Sequence, residues 1–137
     1  TQPDEIEDPL PFDINAPVIE IHDDDFGIWY MDCQDEPQKY TGKTVKFLAQ
    51  VCQTNRAGKN SFVPGRFAMT CCVQDIQFVG FPCKYDKVKE LKQRDWITLT
   101  ARVSVKYHPV FRGEGPVLTA LEVAPGTKPV QDVVTFS

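Results

Sequence analysis

The 137-residue chain has no apolar run of the roughly 18 residues that a membrane-spanning helix needs. It lacks a Met-initiated basic segment followed by an apolar stretch, so no signal peptide is expected within it. It opens on Thr1-Gln2-Pro3, as expected of a fragment or a mature form cut from something longer. Histidine is scarce, with only His22 and His108. There is no Gly-x-Ser-x-Gly, no phosphate loop and no His-Glu-x-x-His, so no nucleophile and base are assembled in the pattern. The chain is therefore expected not to be an enzyme. Positive charge is also in deficit: 15 basic residues face 19 acidic ones, and the net charge is -4. Such a balance has no overall field to draw nucleic acid or an anionic membrane, although it leaves room for a local basic patch. No internal repeat or low-complexity block is present.

What is present suits one soluble globular domain: 42% hydrophobic residues, 25% charged residues and a length that can bury a core without staples. Five cysteines is an odd count, so at least one thiol is free, metal-bound or paired between chains. Their positions, 33, 52, 71, 72 and 83, do not form two Cys-x-x-Cys pairs, and a domain of this size does not need a disulfide framework.

Residues 1–16 hold three prolines and several acidic residues and read as an extended linker. Val18 to Ile21 is a strand candidate. Asp23, Asp24 and Asp25 are suited to cap a helix whose buried face carries Phe26, Trp29, Tyr30 and Cys33. From Lys43 the period changes to two, with Val45, Phe47, Ala49 and Val51 on one side. A second strand is expected over Phe62–Cys72, bent at Pro64 and Gly65, and a third over Ile76–Tyr85. A short helix over 87–93 follows, capped by Asp86. Ile97, Leu99, Ala101, Val103 and Val105 mark the inner face of a long fourth strand, and Pro116–Val123 is the fifth. The expected fold is mainly β: a five-stranded OB-like barrel with a short helix between strands three and four, plus an N-terminal strand and helix. The domain would span 17–126, with 127–137 as an extended tail.

The chemistry concentrates in Gly65-Arg66-Phe67-Ala68-Met69-Thr70-Cys71-Cys72-Val73-Gln74-Asp75. Two thiols and a carboxylate are donors suited to zinc or another thiophilic metal, which makes Cys71, Cys72 and Asp75 the candidate ligands. A redox pair and a plain core position are the alternatives. In a regular strand Phe67, Met69 and Cys71 would share the apolar face and Cys72 the other, so the sulfurs meet only if the strand breaks. Cys72 and Asp75 then converge across a turn, with Cys71 nearer the core. A fourth zinc ligand would come from His22, His108 or Cys83. Arg66 is suited to stabilise a thiolate or a bound anion, or to pair with Asp75. Cys33 reads as a core residue. Lys84, Lys87, Lys89, Lys92 and Arg94 read first as a solvated face and second as an anion-binding or partner-docking surface. Phe78, Phe81, Trp96 and Tyr107 are the aromatics available to stack bases in a single-strand-binding alternative, which the acidic total disfavours.

The Gly65–Asp75 block, together with Tyr40-Thr41-Gly42-Lys43-Thr44-Val45 and Trp96-Ile97-Thr98-Leu99-Thr100-Ala101, resembles the C-terminal soluble domain of the YcgQ-like family. These are permease subunits of Gram-positive bacteria, and the domain is one of unknown function. The resemblance runs from about residue 17 to about residue 130. It implies an extracytoplasmic domain at the cell membrane, tethered by N-terminal helices outside this chain, with residues 1–16 as part of the tether. It implies a membrane permease subunit as partner, no nucleic acid, and sometimes a metal-homeostasis context. Arg66, Cys71, Cys72 and Asp75 are the positions carried over from the family motif.

Overall fold

In chain order the elements are strand β1 (Ile19–Ile21), helix α1 (Phe26–Asp35), and strands β2 (Thr44–Cys52), β3 (Ser61–Met69), β4 (Gln77–Gly80), β5 (Cys83–Lys84), β6 (Trp96–His108), β7 (Gly113–Pro125) and β8 (Val133–Thr135). The structure is a computed structural model and describes residues 9–136. The first eight residues of the expected linker, and Ser137 of the expected tail, lie outside the described residues. The fold is mainly β, with one α-helix and an eight-stranded mixed sheet.

Period-two patterning accounts for the long strands. Val45, Phe47, Ala49 and Val51 of β2 are buried, as are Ile97, Leu99, Ala101 and Val103 of β6. The two strands pair antiparallel, Thr44 with Arg102 through Gln50 with Trp96. β6 continues into the longest ladder, antiparallel to β7, in which Leu121 is the extra residue between Ala120 and Glu122. β5 joins β7 in parallel, β3 joins β5, and β3 returns to β2, so β2, β6, β7, β5 and β3 close a ring. β1 adds to β2 in parallel at one side.

Three local expectations differ from the fold. The third strand is split: Phe81 and Pro82 interrupt it, and β4 and β5 are separate pieces. Proline has no N–H to donate to a ladder, and Phe81 turns fully into the core against Trp29 and Tyr30. The helix expected over 87–93 is a single 3-10 turn, Val88–Glu90. Val88 and Leu91 pack against the core, but the backbone is already extended at Leu91, so the helix ends after one turn. The tail is not merely extended, because Val133–Thr135 form β8, parallel to the last residues of β3.

α1 packs against the ring. Trp29 packs on Phe47 and Phe81 with ring centroids 4.9 and 5.5 Å apart, and Phe26, Trp29 and Cys33 are buried. Gly27 is needed here, since a Cβ would collide with the Thr135 carbonyl of β8. The aspartates before the helix do not cap it through their side chains. Asp23 has a different task. Its Oδ1 accepts a 2.7 Å bond from Nη1 of Arg66, whose side chain is fully buried. Nη2 of Arg66 donates to the Asp132 carbonyl at 3.3 Å, and the guanidinium lies 5.0 Å from the Trp96 ring centroid. Its Nε is buried without a hydrogen-bond partner among the described residues.

Arg66 also corrects the phase assigned to β3. Phe62, Pro64, Arg66 and Ala68 face inward, while Phe67 and Met69 face outward. The Gly65 step does not shift this alternation, so the apolar-looking Phe67–Met69 set sits on the outer face. There Phe67 packs edge-on against Phe78 and under the Arg94 guanidinium.

Removing one partner of a buried ion pair strands the other charge, at a cost of roughly 3 kcal/mol. Asp23→Ala should therefore lower unfolding free energy by about that amount. Arg66→Met combined with Asp23→Ala should cost less than Asp23→Ala alone, because the stranded charge is gone. Equilibrium denaturation of Asp23→Ala, Arg66→Met and the double variant measures this, and strict additivity would contradict it.

Candidate metal centre

β3 ends at Met69, and Thr70 to Cys72 bend away from the sheet before a 3-10 turn over Val73–Asp75. The break satisfies the condition for both sulfurs to meet. Cys71 and Cys72 are both exposed, with sulfurs 3.7 Å apart. Oδ2 of Asp75 lies 2.6 Å from the Cys71 sulfur and 3.4 Å from that of Cys72. The three donor atoms lie within 4.8 Å of one another. The turn is held by the Asp75 N–H, which donates to the Cys72 carbonyl at 2.9 Å.

The sequence pattern anticipated Cys72 with Asp75 but placed Cys71 toward the core. The corrected phase of β3 explains the difference: the chain has left the ladder by Cys71, so strand alternation no longer sets where that side chain points. Cys71 makes the shorter contact with Asp75.

The electrostatics follow from these contacts. Hydrogen bonding to the Asp75 carboxylate, and secondarily to Cys72, holds the Cys71 thiol above its ordinary value. The reciprocal bonds from Cys71 and Cys72 hold Asp75 below the usual carboxylate range. Cys71 is thus held as the proton donor to the Asp75 carboxylate.

The other candidate ligands lie elsewhere. Cys83 and Cys33 are buried in the core, and burial pushes each thiol up to about 12. Nε2 of His108 lies 2.8 Å from the Ala57 carbonyl, and its Nδ1 accepts from the Val110 N–H at 3.1 Å. His22 precedes the Asp23–Asp25 turn. Among the described residues, Cys71, Cys72 and Asp75 are the group of three such donors within metal-binding distance. Arg66 is not beside a solvent-facing ligand position; it is buried and bonded to Asp23 rather than to Asp75. Of the aromatics available for stacking, Phe81 is core, Phe78 packs on Phe67, Trp96 lies against Arg66, and Tyr107 is 67% exposed. No helix among the described residues is long and apolar enough to cross a membrane.

The profile of the DUF1980 C-terminal domain family matches residues 4–134. UPF0703 protein YcgQ of Bacillus subtilis (strain 168) is 25% identical over 100 residues, which cover 73% of this chain and 35% of that protein. The chain thus spans about a third of the length of the curated relative it matches. Among solved structures, a Leishmania major Friedlin protein described as an aspartyl-tRNA synthetase gives a TM-score of 0.42 at 11% identity, covering 81% of this chain and 22% of that one. OBody AM3L09 bound to hen egg-white lysozyme gives 0.43 at 11% identity, covering 66% and 87%.

The shifted groups define a pH window. Asp75, held low, stabilises the corner above the ordinary carboxylate value of about 3.9, and this is lost as pH falls through its folded value. Cys71, held high, stabilises it below the ordinary thiol value of about 8.5, and this is lost as pH rises through its folded value. Both contributions are therefore fully present between about pH 4 and about pH 8.5 and fade outside that window. In a Cys72→Ser background, Asp75→Asn should speed iodoacetamide alkylation of Cys71 severalfold near pH 8. Mass spectrometry of the rate against pH checks this, and an unchanged rate would contradict it.

Proposed function

The chain belongs to the DUF1980 C-terminal domain family, and on that premise we propose that it is a non-enzymatic accessory domain of a membrane permease system. In this reading the domain lies on the extracytoplasmic side of the cell membrane. Its five-strand ring is an OB-like barrel, and its exposed corner binds a thiophilic metal ion, zinc being the candidate, for exchange with the permease. The observation that carries the reading is the convergence of two thiols and one carboxylate on one solvent-facing turn.

The distances support the metal. Tetrahedral zinc with sulfurs at about 2.3 Å and oxygen at about 2.0 Å sets S–S edges of about 3.8 Å and S–O edges of about 3.5 Å. The Cys71–Cys72 separation of 3.7 Å and the Cys72–Asp75 separation of 3.4 Å already suit these edges. The Cys71–Asp75 contact of 2.6 Å is a hydrogen bond, and it would open by nearly 1 Å as the ion replaces the proton. Three protein donors leave a fourth position open, which suits transfer of the ion to a partner better than permanent structural storage. The ring supports the OB-like reading through its strand order and through the turn between its third and fourth components. The permease partner, the membrane tether and the outward side rest on the family resemblance.

Reduced protein should bind one zinc or cadmium ion per chain with release of protons, so affinity should rise with pH. Cys71→Ser and Cys72→Ser should each weaken binding about a hundredfold or more, and Asp75→Asn about tenfold. Competition against a chelator and the ultraviolet thiolate-to-cadmium absorption band give both quantities. No binding at micromolar metal by the reduced chain would refute the proposal.

A further inference from the structure

On another face of the ring, three lysines from different elements converge. Lys59 belongs to the loop between β2 and β3, Lys84 to β5 and Lys106 to β6, and all three line one open cavity of about 290 Å³. No carboxylate lines it. Among the described residues none of these lysines has an ion-pair partner, in a chain whose net charge is -4. Like charges left together without counter-charges repel one another, and an anion relieves that cost.

The backbone holds these groups in place. Register sets Ser61 of β3 opposite Lys84 of β5, and Lys84 opposite Thr119 of β7. The same row continues to Arg102 of β6, which does not itself line the cavity. Of the carboxylates of β7, Glu122 sits opposite Thr100, away from this row, and Glu114 sits opposite the lining residue Tyr107 without itself lining the cavity. Lys59 lies between two residues with positive φ, Gly58 at 101° and Asn60 at 52°. That loop is tied down by His108. Its Nδ1 accepts from the Val110 N–H, so Nε2 carries the proton and donates to the Ala57 carbonyl at 2.8 Å.

We propose that this cavity binds a phosphate group. Lysine ammoniums act as point charges suited to a tetrahedral oxyanion, and no arginine fork, the arrangement that favours a planar carboxylate, lines the cavity. The Thr119 hydroxyl supplies an uncharged donor at its edge. A single bound group fits better than a nucleic-acid strand, which needs successive stacking aromatics, whereas the cavity is lined by Tyr107 and by a His108 ring whose two nitrogens are already engaged by Ala57 and Val110. A phosphate of this kind comes either from a free small molecule or from the headgroup of an anionic phospholipid. The site is separate from the thiol corner and does not depend on metal binding there.

The test is a titration of the isotope-labelled chain with inorganic phosphate at low ionic strength, followed by backbone amide shifts. Saturable shifts centred on Lys59, Lys84, Lys106 and Thr119 are expected. Lys84→Gln combined with Lys106→Gln should weaken binding about tenfold while leaving the rest of the spectrum unchanged. Cys71→Ser combined with Cys72→Ser should leave phosphate binding intact, so the two sites succeed or fail independently. A second arm measures co-sedimentation with phosphatidylcholine vesicles with and without phosphatidylglycerol. Binding to the anionic vesicles that the lysine variant loses identifies a lipid headgroup, and phosphate binding without it identifies a free ligand. Either supports the site. An absent or unsaturable shift, a shift equal in the lysine variant, or oligonucleotide binding that strengthens with length across the whole face would overturn it.

Discussion

The buried guanidinium of Arg66 is the interaction on which this domain turns. It occupies an inward position of β3 that an apolar residue would otherwise fill. A charge is tolerated there only with a partner, and the partners come from distant parts of the chain: the Asp23 carboxylate ahead of α1 and the Asp132 carbonyl ahead of β8. One side chain therefore ties the N-terminal element, the ring and the C-terminal strand together. Trp96 supports it at the start of β6.

The thiol corner is a downstream consequence. With Arg66 and Ala68 inward, Met69 closes the ladder on the outer face, and β8 pairs along β3 as far as Met69. The chain then leaves the sheet, and the bend delivers both sulfurs and the Asp75 carboxylate to solvent on one side. Core thiols elsewhere are kept apart by burial, which raises their values and removes them from chemistry. Structure and reactivity thus divide the cysteines between packing and the exposed turn. Cys52, half-buried at the end of β2, belongs to neither group.

Patterning that repeats was legible in the sequence, and patterning that depends on distant partners was not. The period-two runs of β2 and β6 and the helical face of α1 are local signals, and the burial of Val45, Leu99 and Trp29 follows them. The phase of β3 is hidden in the sequence because Phe67 and Met69 look more like core than Arg66. Only the Asp23 and Asp132 contacts, 43 and 66 residues away, reveal why arginine is inside. The three aspartates read as a cap for the same reason, since their partner is remote. Cys71, Cys72 and Asp75 were identifiable as a group because their spacing is short. Which sulfur lies nearer the carboxylate was decided by the strand end, a tertiary matter. The lysine cavity had only a partial trace, since Lys84 stood in a basic cluster while Lys59 and Lys106 join it through sheet register and loop position.

In the proposed function the exposed turn is a metal site of two thiolates and one carboxylate with a position left open. X-ray absorption at the zinc edge of the loaded, reduced protein tests it most directly. The account predicts a first shell of two sulfurs at about 2.3 Å with oxygen or nitrogen at about 2.0 Å making up the rest. A shell of oxygen and nitrogen alone, or one of four sulfurs, would contradict it.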